Sequence, residues 1–190
     1  MGSPAVFLDR DGVINRKAAE GEYIKSWREI ELLPGAGAAV AALNRAGFHV
    51  FIVTNQRGIA TGKIRIEDLT ELHSRMKEEL ARTGAAISEV YYCPHDIASR
   101  CSCRKPQPGM LQRASEEYGV DLGASWMIGD SMSDIEAGAR VGCRTVLLVS
   151  DGSKPEESQP TLLANDLLSA VQQILNFGDP RTQSAPRSYE

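Results

Sequence analysis

The sequence lacks any apolar run approaching the roughly 18 residues that a membrane-spanning helix needs. It lacks a basic excess too: Lys and Arg number 21 against 25 Asp and Glu, for a formal net charge of -4. That balance argues against nucleic acid or an anionic membrane as the main partner. Aromatics are only 6% of the chain, a thin supply of stacking surface for bases. No export signal opens it, because Asp9, Arg10 and Asp11 arrive before an apolar core could form, and a cytoplasmic location is the expectation. Val6 stands where a myristoylation signal needs Ser or Thr. Cysteine is scarce, at four, and three of the four crowd into residues 93–103 together with His95. Without an export signal, such crowding points to metal before disulfide.

What is present is an alternation of short apolar runs and amphipathic stretches. Residues 4–9, 48–54, 87–92, 125–129 and 143–149 read as strands rich in β-branched and aromatic residues. Between them, 36–46, 66–80, 108–118 and 134–141 read as helices, most of them ending at a glycine (Gly47, Gly119, Gly142), and 162–175 reads as a closing helix. Strands that are apolar throughout, alternating with helices, predict a three-layer α/β/α, Rossmann-like parallel sheet covered on both faces. One domain over residues 1–177 is expected, with 178–190 a disordered polar tail. No internal repeat is visible. A P-loop is excluded because GIATGK at 58–63 is one residue short and Ile64 follows; a dinucleotide fingerprint fails because Val40 replaces its third glycine.

In a parallel sheet, ligands bind beyond the carboxyl ends of the strands. Asp9 and Asp11 follow the first strand, Thr54 and Asn55 end the second, Arg104 and Lys105 come after the third, and Asp130 and Asp134 follow the fourth. One aspartate at a strand end is ordinarily a turn former or a cap. Four carboxylates brought to one edge are different, since they repel each other unless a cation joins them, and hard oxygen ligands suit Mg2+. Cys93 and His95, then Cys101 and Cys103, form two tight pairs across a short loop, a pattern for a closed tetrahedral Zn2+ site of structural kind. Cys143 opens a strand and reads as a buried thiol.

The stretches FLDRDGV at 7–13, VTNQ at 53–56, CRKP at 103–106 and IGDS at 128–131 with Asp134 resemble, in order, the four motifs of the haloacid dehalogenase superfamily. The resemblance covers residues 4 to about 150. It implies a haloacid dehalogenase-like fold and a Mg2+-dependent phosphomonoester hydrolase. Asp9 would be the nucleophile that forms an aspartyl-phosphate, and Asp11 the acid and then the base. Thr54 and Lys105 would hold the phosphoryl oxygens, and Asp9, Asp130 and the Asp11 carbonyl would hold Mg2+. Asp134 would orient Lys105 or a metal-bound water.

A zinc loop running directly into Arg104, Lys105 and Pro106 looks like the heptose-1,7-bisphosphate phosphatase branch, a pattern that histidinol-phosphate phosphatases share. That likeness implies removal of the 7-phosphate of D-glycero-D-manno-heptose 1,7-bisphosphate, with histidinol phosphate or another small phosphomonoester as the alternative and nucleic-acid ends less favoured. It offers Asn15, Tyr23, Asn55, Gln56, Arg57 and Arg104 as substrate contacts, while residues 17–22 depart from the branch's pattern. Spacing leaves no room for a cap domain, so loops 12–30, 56–65 and 93–104 are expected to shape the pocket. The expected partner is a small phosphorylated sugar, with no nucleic acid and no membrane, and the chain is expected to be a monomer.

Overall fold

The computed structural model describes residues 2–149 and 159–177. Its six strands are β1 (Ala5–Leu8), β2 (His49–Asn55), β3 (Glu89–Cys93), β4 (Trp126–Gly129), β5 (Arg144–Leu148) and β6 (Leu162–Ala164). They form one sheet in the order β3-β2-β1-β4-β5-β6, with every pairing parallel. The helices are α1 (Ala36–Arg45), α2 (Ile66–Ala81), α3 (Gly109–Tyr118), α4 (Met132–Ala139) and α5 (Leu167–Asn176).

Successive strand residues point to opposite faces, and both faces are covered. Val6, Leu8, Val50, Ile52 and Ile128 pack with Val40 and Leu43 of α1, Met76 and Leu80 of α2, and Val171 and Ile174 of α5. Ala5, Phe7, Phe51, Val53 and Met127 pack with Met110 and Leu111 of α3 and Ala137 of α4. The rings of Phe7 and Phe51 stack 5.4 Å apart across β1 and β2. This is the three-layer parallel architecture that the alternating runs predict. No second unit interrupts it before β2, where the chain provides a loop and α1, or before β3, where it provides α2. No described helix is long and apolar enough to cross a membrane.

Two boundaries differ from the sequence reading. Residues 162–164 are not the start of a helix but β6, paired to β5 with Val146 opposite Leu162. The helix starts only at Leu167, because Asp166 accepts a 2.7 Å bond from the Ser169 N–H and the Ser169 hydroxyl accepts one from the Asp166 N–H. Likewise α4 begins at Met132, ahead of Asp134, since Ser131 caps it. The segment 178–190, read as a tail, lies outside the described residues.

The register places the site. Leu8 lies opposite Ile52 on one side and Ile128 on the other, so β1, β2 and β4 end together. The chain runs β1, β2, β3 outward in one direction and then returns to β4 on the far side of β1. The reversal falls between β1 and β4, the place where such sheets open a crevice.

Candidate active site

Asp9 leaves β1 at that crevice, and its N–H donates to the Ile128 carbonyl of β4 at 3.0 Å. Lys105, which begins a cis peptide bond to Pro106, is buried beside it. Its ammonium lies 2.8 Å from Asp9 Oδ1 and 2.6 Å from Asp134 Oδ1, and donates to the Val53 carbonyl at 2.8 Å. The Arg10 N–H donates to the same Asp9 Oδ1 at 2.8 Å. Among the described residues no hydrogen bond falls on Asp9 Oδ2. Burial raises the Asp9 carboxyl to about 7, outweighing the pull of Lys105, and the charges of Asp134 and Asp11 push the same way. Burial alone would cost Lys105 its proton, but Asp9 and Asp134 hold it above the ordinary lysine range.

Asp134 is fully buried in the first turn of α4. Its Oδ2 accepts from the Ser131 N–H at 3.1 Å and hydroxyl at 2.7 Å, so one carboxylate both caps the helix and fixes Lys105. Glycine is required beneath it, since a Cβ at Gly129 would collide with the Asp134 side chain.

Asp11 is held from several sides. The Arg10 guanidinium grips it with Nη2 2.9 Å from Oδ1 and 2.8 Å from Oδ2, and with Nε 3.2 Å from Oδ1. Asn15 donates to Oδ1 at 3.0 Å and Gln56 to Oδ2 at 3.1 Å; the same Gln56 amide donates to Thr54 Oγ1 at 2.8 Å. Burial would raise the Asp11 carboxyl, but the Arg10 charge and these hydrogen bonds hold it below its ordinary value. Asp11 is therefore held as a carboxylate by its neighbours.

Asp130 stands at the end of β4. One of its oxygens, Oδ2, meets the Lys17 ammonium at 2.5 Å, while the buried Oδ1 has no hydrogen-bond partner among the described residues. Burial raises its carboxyl despite Lys17. Carboxylate oxygens of Asp9, Asp130 and Asp134 lie within 4.8 Å of one another. Three carboxylates converging beside an orphaned buried oxygen fit a hard divalent cation. Gly12, at φ +91°, gives Asp130 its space, since a Cβ there would run into the carboxylate.

A cavity of about 380 Å³ opens above this floor, within the range of small-molecule sites. Asp9, Asp11, Thr54, Lys105 and Asp130 line it, and so do Tyr23, Asn55, Gln56 and Lys17. Four residues expected to touch substrate have their polar groups engaged by other residues of the chain in this structure. Asn15 is fully buried behind Asp11, with its amide bound to that carboxylate and to the Arg16 carbonyl, so it positions Asp11 instead of facing the cavity. Asn55 bonds the peptide of Lys105 from both ends of its amide, each at 3.1 Å, and so fixes the lysine's backbone. Arg57 and Arg104 do not line the cavity: Arg57 pairs with Asp96 at 2.7 Å, and Arg104 turns toward the His95 carbonyl, 3.5 Å away. Both guanidiniums are drawn to the 93–103 loop.

Arg10, Lys17 and His73 were not foreseen. The fold buries Arg10, whereas Lys17 stays exposed and reaches Asp130 from the rim. His73 did leave a signal, as a polar residue on the buried stripe of α2 with Leu69, Leu72, Met76 and Leu80.

Beyond β3, Cys93, His95, Cys101 and Cys103 converge. The Cys93 sulfur is 3.5 Å from Cys101 and 3.3 Å from Cys103, Cys101 and Cys103 are 3.5 Å apart, and His95 Nδ1 is 3.2 Å from Cys103. A zinc tetrahedron with bonds of about 2.3 Å to sulfur has edges of about 3.8 Å, so the four donors are close to that shape already. Burial raises the Cys93 and Cys103 thiols, the latter to about 12. Cys101 is raised by burial as well, but hydrogen bonds from Cys103 and from the Arg104 N–H bring it down to about 7.

A parallel sheet of this order, with paired aspartates at the end of β1, a buried lysine against the first of them and further aspartates beyond β4, defines a hydrolase of the haloacid dehalogenase-like class. The HAD-hydrolase-like family model matches residues 102–170. D-glycero-β-D-manno-heptose-1,7-bisphosphate 7-phosphatase of Pseudomonas aeruginosa is 38% identical, over 92% of this chain and 99% of its own. The enzyme of the same name from Rhodopseudomonas palustris is 43% identical over 73% of this chain and 79% of its own. The crystal structure of D,D-heptose 1,7-bisphosphate phosphatase from B. bronchiseptica, complexed with magnesium and phosphate, superposes with a TM-score of 0.81 at 34% identity, covering 91% of this chain and 98% of that one. The chain belongs to the heptose-1,7-bisphosphate 7-phosphatase family and is a phosphatase.

Proposed function

We propose that this phosphatase removes the 7-phosphate of D-glycero-D-manno-heptose 1,7-bisphosphate through an aspartyl-phosphate on Asp9. The observation that carries the mechanism is the one-sided grip on Asp9. Lys105 and the Arg10 N–H both hold Oδ1, and Oδ2 is left as the oxygen that attacks phosphorus. The family relatives support the substrate, and their names carry the β anomer.

In the first step the Asp9 Oδ2–phosphorus bond forms and the bond to the sugar oxygen breaks, with the Asp11 proton going to that oxygen. Its neighbours hold Asp11 as a carboxylate, and the approach of a phosphate dianion raises its affinity for the proton it must carry. In the second step Asp11 takes a proton from water, the water oxygen bonds phosphorus, and the bond to Asp9 breaks. Thr54 and Lys105 hold the phosphoryl oxygens as charge builds. Asp9, Asp130 and the Asp11 carbonyl would hold Mg2+, which supplies charge neutralisation between carboxylate and phosphate. Cys93, His95, Cys101 and Cys103 would hold a structural Zn2+ that shapes the backbone leading into Lys105. These functions belong to one domain over residues 1–177.

Phosphate release from heptose 1,7-bisphosphate, histidinol phosphate and nucleotides tests the reading. The heptose bisphosphate should have the highest kcat/KM, with the 1-phosphate as product. Asp9→Asn should reduce turnover by about 10³-fold or more while the fold persists, since an amide cannot form the acyl-phosphate. Near-wild-type turnover by that variant would overturn the reading.

A further inference from the structure

Behind Asp11 lies a buried pair that the proposed chemistry does not use. Arg10 is 1% exposed although it carries a permanent charge. Its fork grips the Asp11 carboxylate, and its remaining arm, Nη1, lies 3.2 Å from His73 Nε2. A guanidinium can only donate, so His73 accepts there and its Nε2 carries no proton. Burial and the Arg10 charge together bring the His73 imidazole down to about 3, so it stays neutral. The imidazole stands on the core face of α2, with its ring 5.9 Å from that of Tyr92 on β3. It is 6% exposed and does not line the cavity.

The pair has a bland explanation, in which a buried arginine needs acceptors and finds two. The bland case leaves the direction of the arrangement unused. Arg10 could satisfy its donors with backbone carbonyls, as buried arginines often do. Here every hydrogen bond of its side chain among the described residues is to Asp11 or His73. The guanidinium is thus a rigid spacer between a core helix and the one carboxylate that must deliver a proton to the leaving oxygen. Proton delivery depends steeply on placement, and a shift of about 1 Å can cost about 10²-fold.

We propose that His73 is a positioning residue, which sets the Asp11 carboxylate at the leaving-group oxygen by holding Arg10 from the opposite side. This rests on the reading of Asp11 as acid and base. It places a determinant of the reaction's acid step on α2, outside the four motif segments, with no contact of its own to substrate.

Leaving groups separate this role from a merely structural one. A sugar phosphate releases an alkoxide and needs the proton; p-nitrophenyl phosphate releases a stable phenolate and hardly does. kcat/KM reports the step in which Asp9 is phosphorylated, so it is measured for both substrates in wild type, His73→Phe, His73→Gln and Asp11→Asn. His73→Phe should lose about tenfold or more on the sugar bisphosphate and less than about threefold on p-nitrophenyl phosphate. His73→Gln, whose amide oxygen can accept from Arg10, should recover most of the loss. Equal losses on both substrates, or no loss on either, would overturn the proposal. Should His73→Phe not fold, Arg10→Lys takes its place, since lysine keeps the charge but cannot bridge Asp11 and His73, and the same two outcomes decide. Asp11→Asn guards the underlying reading. If it shows the selective loss and His73→Phe does not, the positioning role fails alone; if Asp11→Asn shows none, the acid role itself falls.

Discussion

At the scale of single residues, Lys105 is the side chain on which most of the site converges. It is buried with Asp9 and Asp134, and among the described residues it is the only cation paired with either. Breaking a buried ion pair by removing one partner costs about 3–5 kcal/mol, because a desolvated charge is left behind. Lys105→Met should therefore destabilise the chain by about that amount, and cut kcat/KM by about 10²-fold or more through loss of the phosphoryl contact. Urea unfolding beside phosphate-release kinetics checks both, and undiminished stability would show that Asp9 and Asp134 do not depend on the lysine. Asn55 and Gln56 teach a related lesson. Both were expected to face substrate, and both have amides engaged with other site residues: Asn55 with the Lys105 peptide, Gln56 with Thr54 and Asp11. Sequence position brought these side chains to the right edge of the sheet. It could not say whether each amide faces outward to a ligand or inward to a neighbour, because that is settled by partners far away in the chain.

Among the elements, the strands were legible because doubly buried strands must be apolar throughout, and Val50, Phe51, Ile52 and Val53 of β2 leave no other reading. The short edge strand β6 was not legible. β6 has only Leu162, Leu163 and Ala164, too few to show a period, and its apolar character runs on into α5. The convergence of the four donor side chains of the 93–103 loop was legible because they stand in two tight pairs across a short loop. What the sequence did not disclose is that the loop also attracts Arg57 and Arg104, through Asp96 and the His95 carbonyl. A prediction belongs here. Cys103 is two residues from Lys105, so a lost zinc ligand should be felt at the phosphoryl site as well as in stability. Purified protein should contain about one zinc per chain, and Cys103→Ser should lower that content, the melting temperature and kcat/KM together. Elemental analysis with thermal unfolding tests it. A zinc-free preparation of full stability would show that the four donors hold no structural metal.

For the whole molecule, the crevice at the strand reversal gathers more negative charge than its cations offset, and this should appear in the pH dependence of stability. Among the described residues the cations that Asp9, Asp130 and Asp134 meet there are Lys105 and Lys17, and Asp11 is paired with Arg10. The Asp9 carboxyl is raised from 3.8 to about 7 and Asp130 is raised as well, with burial the largest cause of each. A carboxyl raised on folding binds its proton more tightly in the folded chain than in the unfolded one. Its contribution to stability is then present below the unfolded value and is lost as pH rises toward the folded value. Asp11 has the opposite shift, and its contribution is lost only on acidification below the ordinary carboxylate range. Between about pH 5 and pH 7.5 the Asp9 trend is opposed by His73, whose imidazole, brought down to about 3 on folding, makes stability rise with pH up to its unfolded value. The Asp9 contribution is therefore read as the difference between wild type and Asp9→Asn, which removes that titration and keeps the His73 one. In magnesium-free buffer the melting temperature of wild type should fall relative to that of Asp9→Asn across the window by several degrees, each kcal/mol being worth about 2–4 °C in a chain of this size. Magnesium should raise the wild-type melting temperature most at the upper end, where the carboxylates it joins are ionised, by the ordinary linkage of binding to folding. A difference between the wild-type and Asp9→Asn melting temperatures that stays constant from about pH 5 to pH 7.5 without magnesium would mean that Lys105 already balances the Asp9 carboxylate.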